Sequence, residues 1–299
     1  MAGRERKNRA VSSSLRAAGL YARGAGRVLL RGGGSLRERL ARPDERLVFV
    51  VGSPRSGTTF LGRSLGALPG FVDLGEVPAL KALIPALGDT PSPEAAHRIR
   101  RTLDTTRRLG LVGGRRAVEQ TPESAFVVEA LALAYSSASF VHIVRDGRDV
   151  VSSLLERGWL SSGRGGEDDA GHAYGAAPRF WVEAERRAEF ESASDAGRAA
   201  WAWRRYVGAA QAAPPDRCFD LRYERMVAEP EAVARDLAGF LGAEPDALAV
   251  ALGGAYRESV GRYRDALSPA QLADVLAEAG GLLEALAYVT AESASALRR

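Results

Sequence analysis

Three stretches of the chain read as strands buried on both faces. Leu47-Val48-Phe49-Val50-Val51, Phe140-Val141-His142-Ile143-Val144 and Cys218-Phe219-Asp220-Leu221-Arg222-Tyr223 are short and rich in β-branched and aromatic residues. Helical patterns follow the first two, over Phe60–Leu68 and Asp149–Glu156. A long charged helix is expected from about Pro178 to Ala212, with a break near Gly197, and two closing helices around Pro269–Ala279 and Leu282–Tyr288. Strands alternating with helices predict an α/β fold: three α/β/α layers around a mainly parallel sheet. Ser161–Gly175, rich in Gly, Ser and acids, reads as a surface loop. No internal repeat is evident.

Charge divides the 299 residues into two regions. Residues 1–46 hold twelve Arg/Lys against four Asp/Glu, an excess of eight positive charges. The whole chain is only +4, so residues 47–299 are net negative by about four. Residues 1–45 are therefore read as a basic arm, partly disordered or helical, and 46–299 as the domain. The glycines at 32–34 and Pro43 separate the two. Such an arm can touch nucleic acid or an anionic membrane. The preferred reading is a solvated leader with one helix docked on the domain, with no nucleic-acid partner. The arm lacks the compact apolar segment of a secretory signal, and no run of about eighteen apolar residues occurs. The lone cysteine, Cys218, forms no internal disulfide and reads as a small buried residue. These features together predict a cytoplasmic protein. An abundance of Ala, Arg and Gly suggests a GC-rich, bacterial source.

The chemistry concentrates in Gly52-Ser53-Pro54-Arg55-Ser56-Gly57-Thr58-Thr59, directly after the first strand and before its helix. Two glycines at this spacing let backbone N–H groups and a helix N-terminus converge on an anion. With the strand–helix alternation, this loop predicts an architecture like that of P-loop nucleotide-binding domains. A nucleotide triphosphatase or small-molecule kinase would carry Lys after the second glycine. Here Thr58 stands there, and the cation is Arg55 inside the loop. That departure counts against the P-loop kinase alternative. A non-catalytic nucleotide-binding module would keep the phosphate loops but need no base.

Pro54-Arg55-Ser56-Gly57-Thr58-Thr59-Phe60 resembles the 5′-phosphosulfate loop of the sulfotransferases that use 3′-phosphoadenosine-5′-phosphosulfate (PAPS). The resemblance implies that Arg55 contacts the 5′-phosphosulfate and its bridging oxygen, while Ser56, Gly57, Thr58 and Thr59 wrap the phosphate and Phe60 closes the segment. It predicts a 3′-phosphate site as well. Arg145 at the end of the second strand and Ser153 eight residues on match that site, and Arg157, one turn further, matches a contact in some branches. Tyr223, in Leu221-Arg222-Tyr223-Glu224, matches a residue near the adenosine. Arg262, in Ser259-Val260-Gly261-Arg262-Tyr263-Arg264, matches a cationic contact from a closing loop. The resemblance covers about residues 47–290.

The implied reaction moves a sulfonate to a hydroxyl of a small-molecule or carbohydrate acceptor, and it needs a base. Glu76, in Asp73-Leu74-Gly75-Glu76-Val77-Pro78, matches the base of the carboxylate branch of the family. Its rivals are Glu119, Glu123 and His172; His142 lies mid-strand. Glu119-Gln120-Thr121-Pro122 resembles an E-K-[ST]-P segment with Gln120 in place of lysine. The chain is expected either to do without that charge or to supply it from Arg115 or Arg116. No metal is expected, because arginines neutralise the phosphates. The acceptor should contact the region 78–93, the 161–175 loop and Trp159, Trp181, Trp201 or Trp203, although a core role suits most of these tryptophans better.

Overall fold

Val48–Val51 forms the centre of the sheet, and every residue of it is buried. Side chains alternate along a strand, so Phe49 and Val51 enter one apolar cluster while Val48 and Val50 enter another. A strand with two apolar faces demands cover on both sides, which gives three layers. The computed structural model describes residues 18–31, 34–87, 93–161, 163–164, 166–167 and 179–289.

In chain order, α1 occupies residues 18–31 and α2 Leu36–Leu40. β1 is Val48–Val51, α3 Thr58–Gly66, β2 Phe71–Gly75, α4 Pro78–Leu83 and α5 Pro93–Leu109. β3 (Arg116–Glu119), α6 (Val128–Ala134), β4 (Ser139–Val144) and α7 (Gly147–Arg157) follow. Next come α8 (Arg187–Ser192), α9 (Asp195–Ala210), β5 (Cys218–Arg222), α10 (Tyr223–Ala228) and α11 (Pro230–Leu241). α12 (Pro245–Leu252), α13 (Tyr263–Ala266) and α14 (Pro269–Ala285) complete the described chain.

The five strands lie in the order β2-β3-β1-β4-β5, and each neighbouring pair is parallel. β1 therefore separates the strands that follow it to either side. The crevice at the carboxyl ends of β1 and β4 is the switch point where open α/β sheets bind ligands. Residues of α5, α6, α7, α9 and α14 cover one face, and residues of α3, α10, α11 and α12 cover the other. Helix α1 joins the first layer: Val28 is fully buried in that cluster.

The structure departs from the sequence expectations in four places. β2 and β3 are additional strands; they carry Asp73, Arg116 and Glu119 and so do not read as apolar runs. Arg116 is nonetheless buried, its guanidinium donating to the carbonyls of Arg46 and Leu241. The expected helix from Pro178 to Ala212 divides at Ser194, whose hydroxyl accepts the Gly197 N–H and caps α9; Gly197 lies inside the first turn rather than at the break. The two closing helices are one, α14, started by a Ser268–Gln271 capping box and continuous through Gly280 and Gly281. β5, expected to be buried on both faces, is an edge strand in which only Leu221 is buried. Trp181, Trp201 and Trp203 are core residues, the role that suits most of the tryptophans, and Trp159 is partly exposed. Much of the expected 161–175 loop, His172 included, falls outside the described residues.

Candidate active site

The loop from Gly52 to Gly57 turns the chain from β1 into α3. Arg55 takes a left-handed backbone at φ 68°, and Gly57 takes one at φ 98°. The left-handed region strains a residue with a Cβ, and such strain gathers at functional sites. Gly57 is further constrained by packing: a Cβ there would stand 2.8 Å from the Tyr223 ring. No side chain caps α3 at Gly57, so its first N–H groups are left to the loop's concave side. Ser56 is fully buried, and its Oγ finds no hydrogen-bond partner among the described residues. Thr58 is buried, Thr59 exposed and Phe60 half-buried.

Arg145 follows the last residue of β4, and Ser153 lies on α7, which is capped by the Asp146 carboxylate. The structure brings both to the Gly52–Gly57 loop. Arg55 Nε donates to Ser153 Oγ at 3.0 Å, and Arg145 Nη1 donates to the Arg55 carbonyl at 3.1 Å. Arg145 also donates to the Ser259 carbonyl, and its guanidinium lies 4.9 Å from the Tyr223 ring centre. Trp203 Nε1 donates to the Arg145 carbonyl at 3.1 Å, fixing the strand end from behind. Burial holds the Arg145 guanidinium below its ordinary pKa, against the raising effect of Asp149, Tyr223 and Glu224. Its Nε is buried without a partner among the described residues.

The outer parts close on the same place. The Tyr223 hydroxyl donates to the Tyr256 carbonyl at 3.1 Å. Asp149 accepts the N–H groups of Gly261 and Tyr263 at 2.8 and 3.0 Å, tying the 256–263 loop to α7. Arg262 pairs with Glu156 at 3.1 Å. Arg55 and Arg157 both stack on Trp159, at 5.3 and 6.0 Å from ring centre. Asp149 as an anchor was not legible in the sequence, where it reads as one more acid in a helix start.

A second group stands at the carboxyl ends of β2 and β3. The Glu76 carbonyl accepts from Arg27 Nη1 of α1 at 2.9 Å, and its carboxylate meets Lys81 Nζ at 3.2 Å. Lys81 also meets Glu123 Oε1 at 3.3 Å. The Glu76 side chain is 40% exposed and that of Glu123 0%. Arg31 of α1 pairs with Asp73 of β2 at 2.7 Å, so two arginines of the basic arm hold the loop that carries Glu76. Gln120 is buried, its Oε1 lacks a partner among the described residues, and it packs against Gly62 of α3. Arg115 and Arg116 lie at the other end of β3, donating to the carbonyls of Val112, Leu111, Arg46 and Leu241. The cation beside Glu76 is thus Lys81, one of only two lysines in the chain.

Glu119 is fully buried and accepts from Thr121 N at 2.7 Å and Ser124 Oγ at 2.8 Å. Burial pushes its carboxyl up to about 7, against those hydrogen bonds and with help from the Glu76 charge. Below about pH 4.5 the carboxyl is protonated whether the chain is folded or not; between there and about 7 only the folded chain keeps the proton. Stability should therefore fall as pH rises through this window and level off above it. Glu119→Gln is expected to remove that slope and add up to about 3 kcal/mol above about pH 8. Thermal unfolding of both chains across this range checks it; an unchanged slope in the variant would contradict the assignment.

His142 sits mid-strand with Nδ1 on Asp220 Oδ1 at 3.0 Å. Cys218, expected to be buried, is half-buried at the start of β5, and desolvation still pushes its thiol up to about 11. Among the described residues no cluster of three or more His, Cys, Asp or Glu is arranged to hold a metal ion. No helix among them is long and apolar enough to cross a membrane.

A model of the Sulfotransferase family matches residues 96–247. An uncharacterized protein of Aquifex aeolicus (strain VF5) is 26% identical over 216 residues, covering 66% of this chain and 26% of the relative; the chain thus spans about a quarter of that protein. Among solved structures, the sulfotransferase domain of the Synechococcus PCC 7002 olefin synthase is 16% identical with TM-score 0.48, covering 84% of this chain and 98% of its own. Sulfotransferase STF9 of Mycobacterium avium is 16% identical with TM-score 0.47, covering 84% and 79%. Mouse sulfotransferase SULT7A1 complexed with PAP is 14% identical with TM-score 0.46, covering 88% and 93%.

Proposed function

The chain belongs to the sulfotransferase family, and from that premise we propose that it transfers a sulfonate from PAPS to a hydroxyl of a small-molecule or carbohydrate acceptor. The observation that carries the reading is the junction of Arg55, Ser153 and Arg145, which joins two anion-binding segments into one site. A nucleotide with phosphate at both its 5′ and 3′ positions suits such a junction. Buried polar groups without partners are costly unless a ligand satisfies them. Ser56 Oγ and Arg145 Nε are two such groups, one in each segment, and both are donors able to meet phosphate oxygens.

In this reading Arg55, Ser56, Gly57, Thr58 and Thr59 hold the 5′-phosphosulfate. Arg145, Ser153 and Arg157 hold the 3′-phosphate. Phe60 and Tyr223 flank the adenosine, and Arg262 belongs to the loop that closes over it. PAPS, when bound, supplies a sulfonate on a phosphate leaving group. Glu76 takes the proton of the acceptor hydroxyl as that oxygen attacks. Lys81 fixes the orientation of the Glu76 carboxylate, and Arg27 and Arg31 hold its loop against β2. Arg55 stabilises the negative charge that grows on the bridging oxygen as the bond to sulfur breaks.

Arg145→Ala tests the assignment of the 3′-phosphate site. It should weaken binding of PAP, the 3′,5′-bisphosphate product, by roughly tenfold to a hundredfold, as loss of a charge-assisted hydrogen bond does. Binding of 5′-AMP should change far less. Calorimetric titration of both nucleotides measures this; equal losses would mean that Arg145 does not read the 3′-phosphate.

A further inference from the structure

Ten large apolar side chains are exposed among the described residues, and six of them are leucines from two neighbouring stretches: Leu29, Leu30, Leu36, Leu40, Leu109 and Leu111. Leu30 is 92% exposed, Leu36 70% and Leu40 66%. The chain brings these stretches together at one end of the molecule. Val28 packs against Gly110, between Leu109 and Leu111. Gly34 lies against the Arg115 side chain, which donates to the Leu111 carbonyl. The Glu38 carbonyl of α2 accepts the Gly114 N–H at 2.9 Å. The leucines therefore surround the turn from α5 into β3, at the edge of the sheet where strands begin. The phosphate loop and Glu76 lie at the opposite edge, where strands end.

The charge around these leucines is positive and uncompensated. Arg37, Arg42 and Arg108 are exposed and enter no ion pair among the described residues. The nearby acids are already engaged: Glu38 in the Ser35 capping box, Asp44 with Arg46, and Glu45 with Arg100. The sequence around them, residues 1–46, carries the excess of eight positive charges. Leucines standing among free arginines match the interface of an anionic bilayer: apolar side chains enter the acyl boundary while guanidinium groups reach lipid phosphates. A single-stranded nucleic acid would call for aromatic stacking platforms instead, and all six apolar residues are leucine.

We propose that this end of the protein, α2 with the end of α1 and the α5–β3 turn, docks on the surface of an anionic membrane. The site would then face away from the bilayer, open to nucleotide. This inference does not depend on the sulfotransferase reaction, since it rests on the exposed leucines and arginines alone; α1 nevertheless links the two regions, its Arg27 and Arg31 reaching Glu76 and Asp73.

Flotation of the full chain tests it, with vesicles of phosphatidylcholine alone and of phosphatidylcholine mixed equally with phosphatidylglycerol. The protein is expected to float with the anionic vesicles only, and to be released at about 1 M salt. The triple substitution Leu30→Glu, Leu36→Glu, Leu40→Glu should cut the bound fraction about tenfold or more, as should Arg37→Glu, Arg42→Glu, Arg108→Glu. All six positions are exposed or nearly so, so melting temperature and PAP affinity should stay at the parent values. Wild type that stays with the soluble fraction, that binds neutral vesicles equally, or that keeps its binding after the leucine substitutions would overturn the proposal. Dissociation of a dimer by those substitutions, with no vesicle binding in the parent, would overturn it in favour of a second copy of the chain.

Discussion

Glu76→Gln is expected to slow sulfonate transfer by roughly a hundredfold to ten-thousandfold, the usual worth of a positioned base. PAP affinity should stay within about twofold, because the change removes a proton acceptor and leaves the phosphate contacts alone. Access singles out Glu76. Three carboxylates gather at the ends of β2 and β3, yet Glu119 and Glu123 are fully buried while the Glu76 side chain is 40% exposed. Glu119 is also occupied by Thr121 and Ser124. An acceptor hydroxyl can therefore approach Glu76. Lys81 bridges Glu76 and Glu123, so glutamine at position 76 still leaves that lysine a charged partner. If Glu76→Gln kept near-normal turnover and Glu123→Gln abolished it, the base would be Glu123.

The second large effect is expected at Arg55. Arg55→Ala should cut turnover by about a hundredfold or more, as loss of a charge-stabilising donor commonly does. Its direction is set by attachments that include Nε on Ser153, its carbonyl on Arg145 and its guanidinium over Trp159. Its left-handed backbone adds a complication, since alanine there costs about 1–2 kcal/mol just as any L-residue does. Arg55→Gly removes the charge without that cost, so it should be as slow as alanine and at least as stable. Near-normal rates in the glycine variant would take Arg55 out of the mechanism.

What the sequence disclosed, and what it hid, follows from how each part is built. The strand–loop–helix turn from Val48 to Gly66 was legible because a fully apolar strand, two glycines and a helix start occur in immediate succession. Arg145 and Ser153 were legible for the same reason, after β4. β2 and β3 were not, because buried polar residues interrupt them: Arg116 donates to two distant carbonyls, Asp73 accepts from the Gly75 N–H and pairs with Arg31 of α1, and Glu119 accepts from Thr121 and Ser124. The group around Glu76 is assembled from α1, β2, α4 and the segment after β3, four separate parts of the chain. Lys81 could have been singled out, being one of two lysines, but its neighbours could not. A docked helix in the basic leader was expected, but its contacts were not: packing shows Val28 of α1 entering the core while Arg27 and Arg31 turn toward β2.

The central claim is that the two joined segments hold a nucleotide bearing both a 3′- and a 5′-phosphate. Calorimetric titration with PAP, beside ATP with Mg²⁺, tests this most directly. Tight PAP binding with feeble ATP binding is the expected result, and it would reduce the remaining question to a screen of acceptors. Mg²⁺-dependent ATP binding with no preference for PAP would contradict the account and favour a phosphoryl-transfer enzyme.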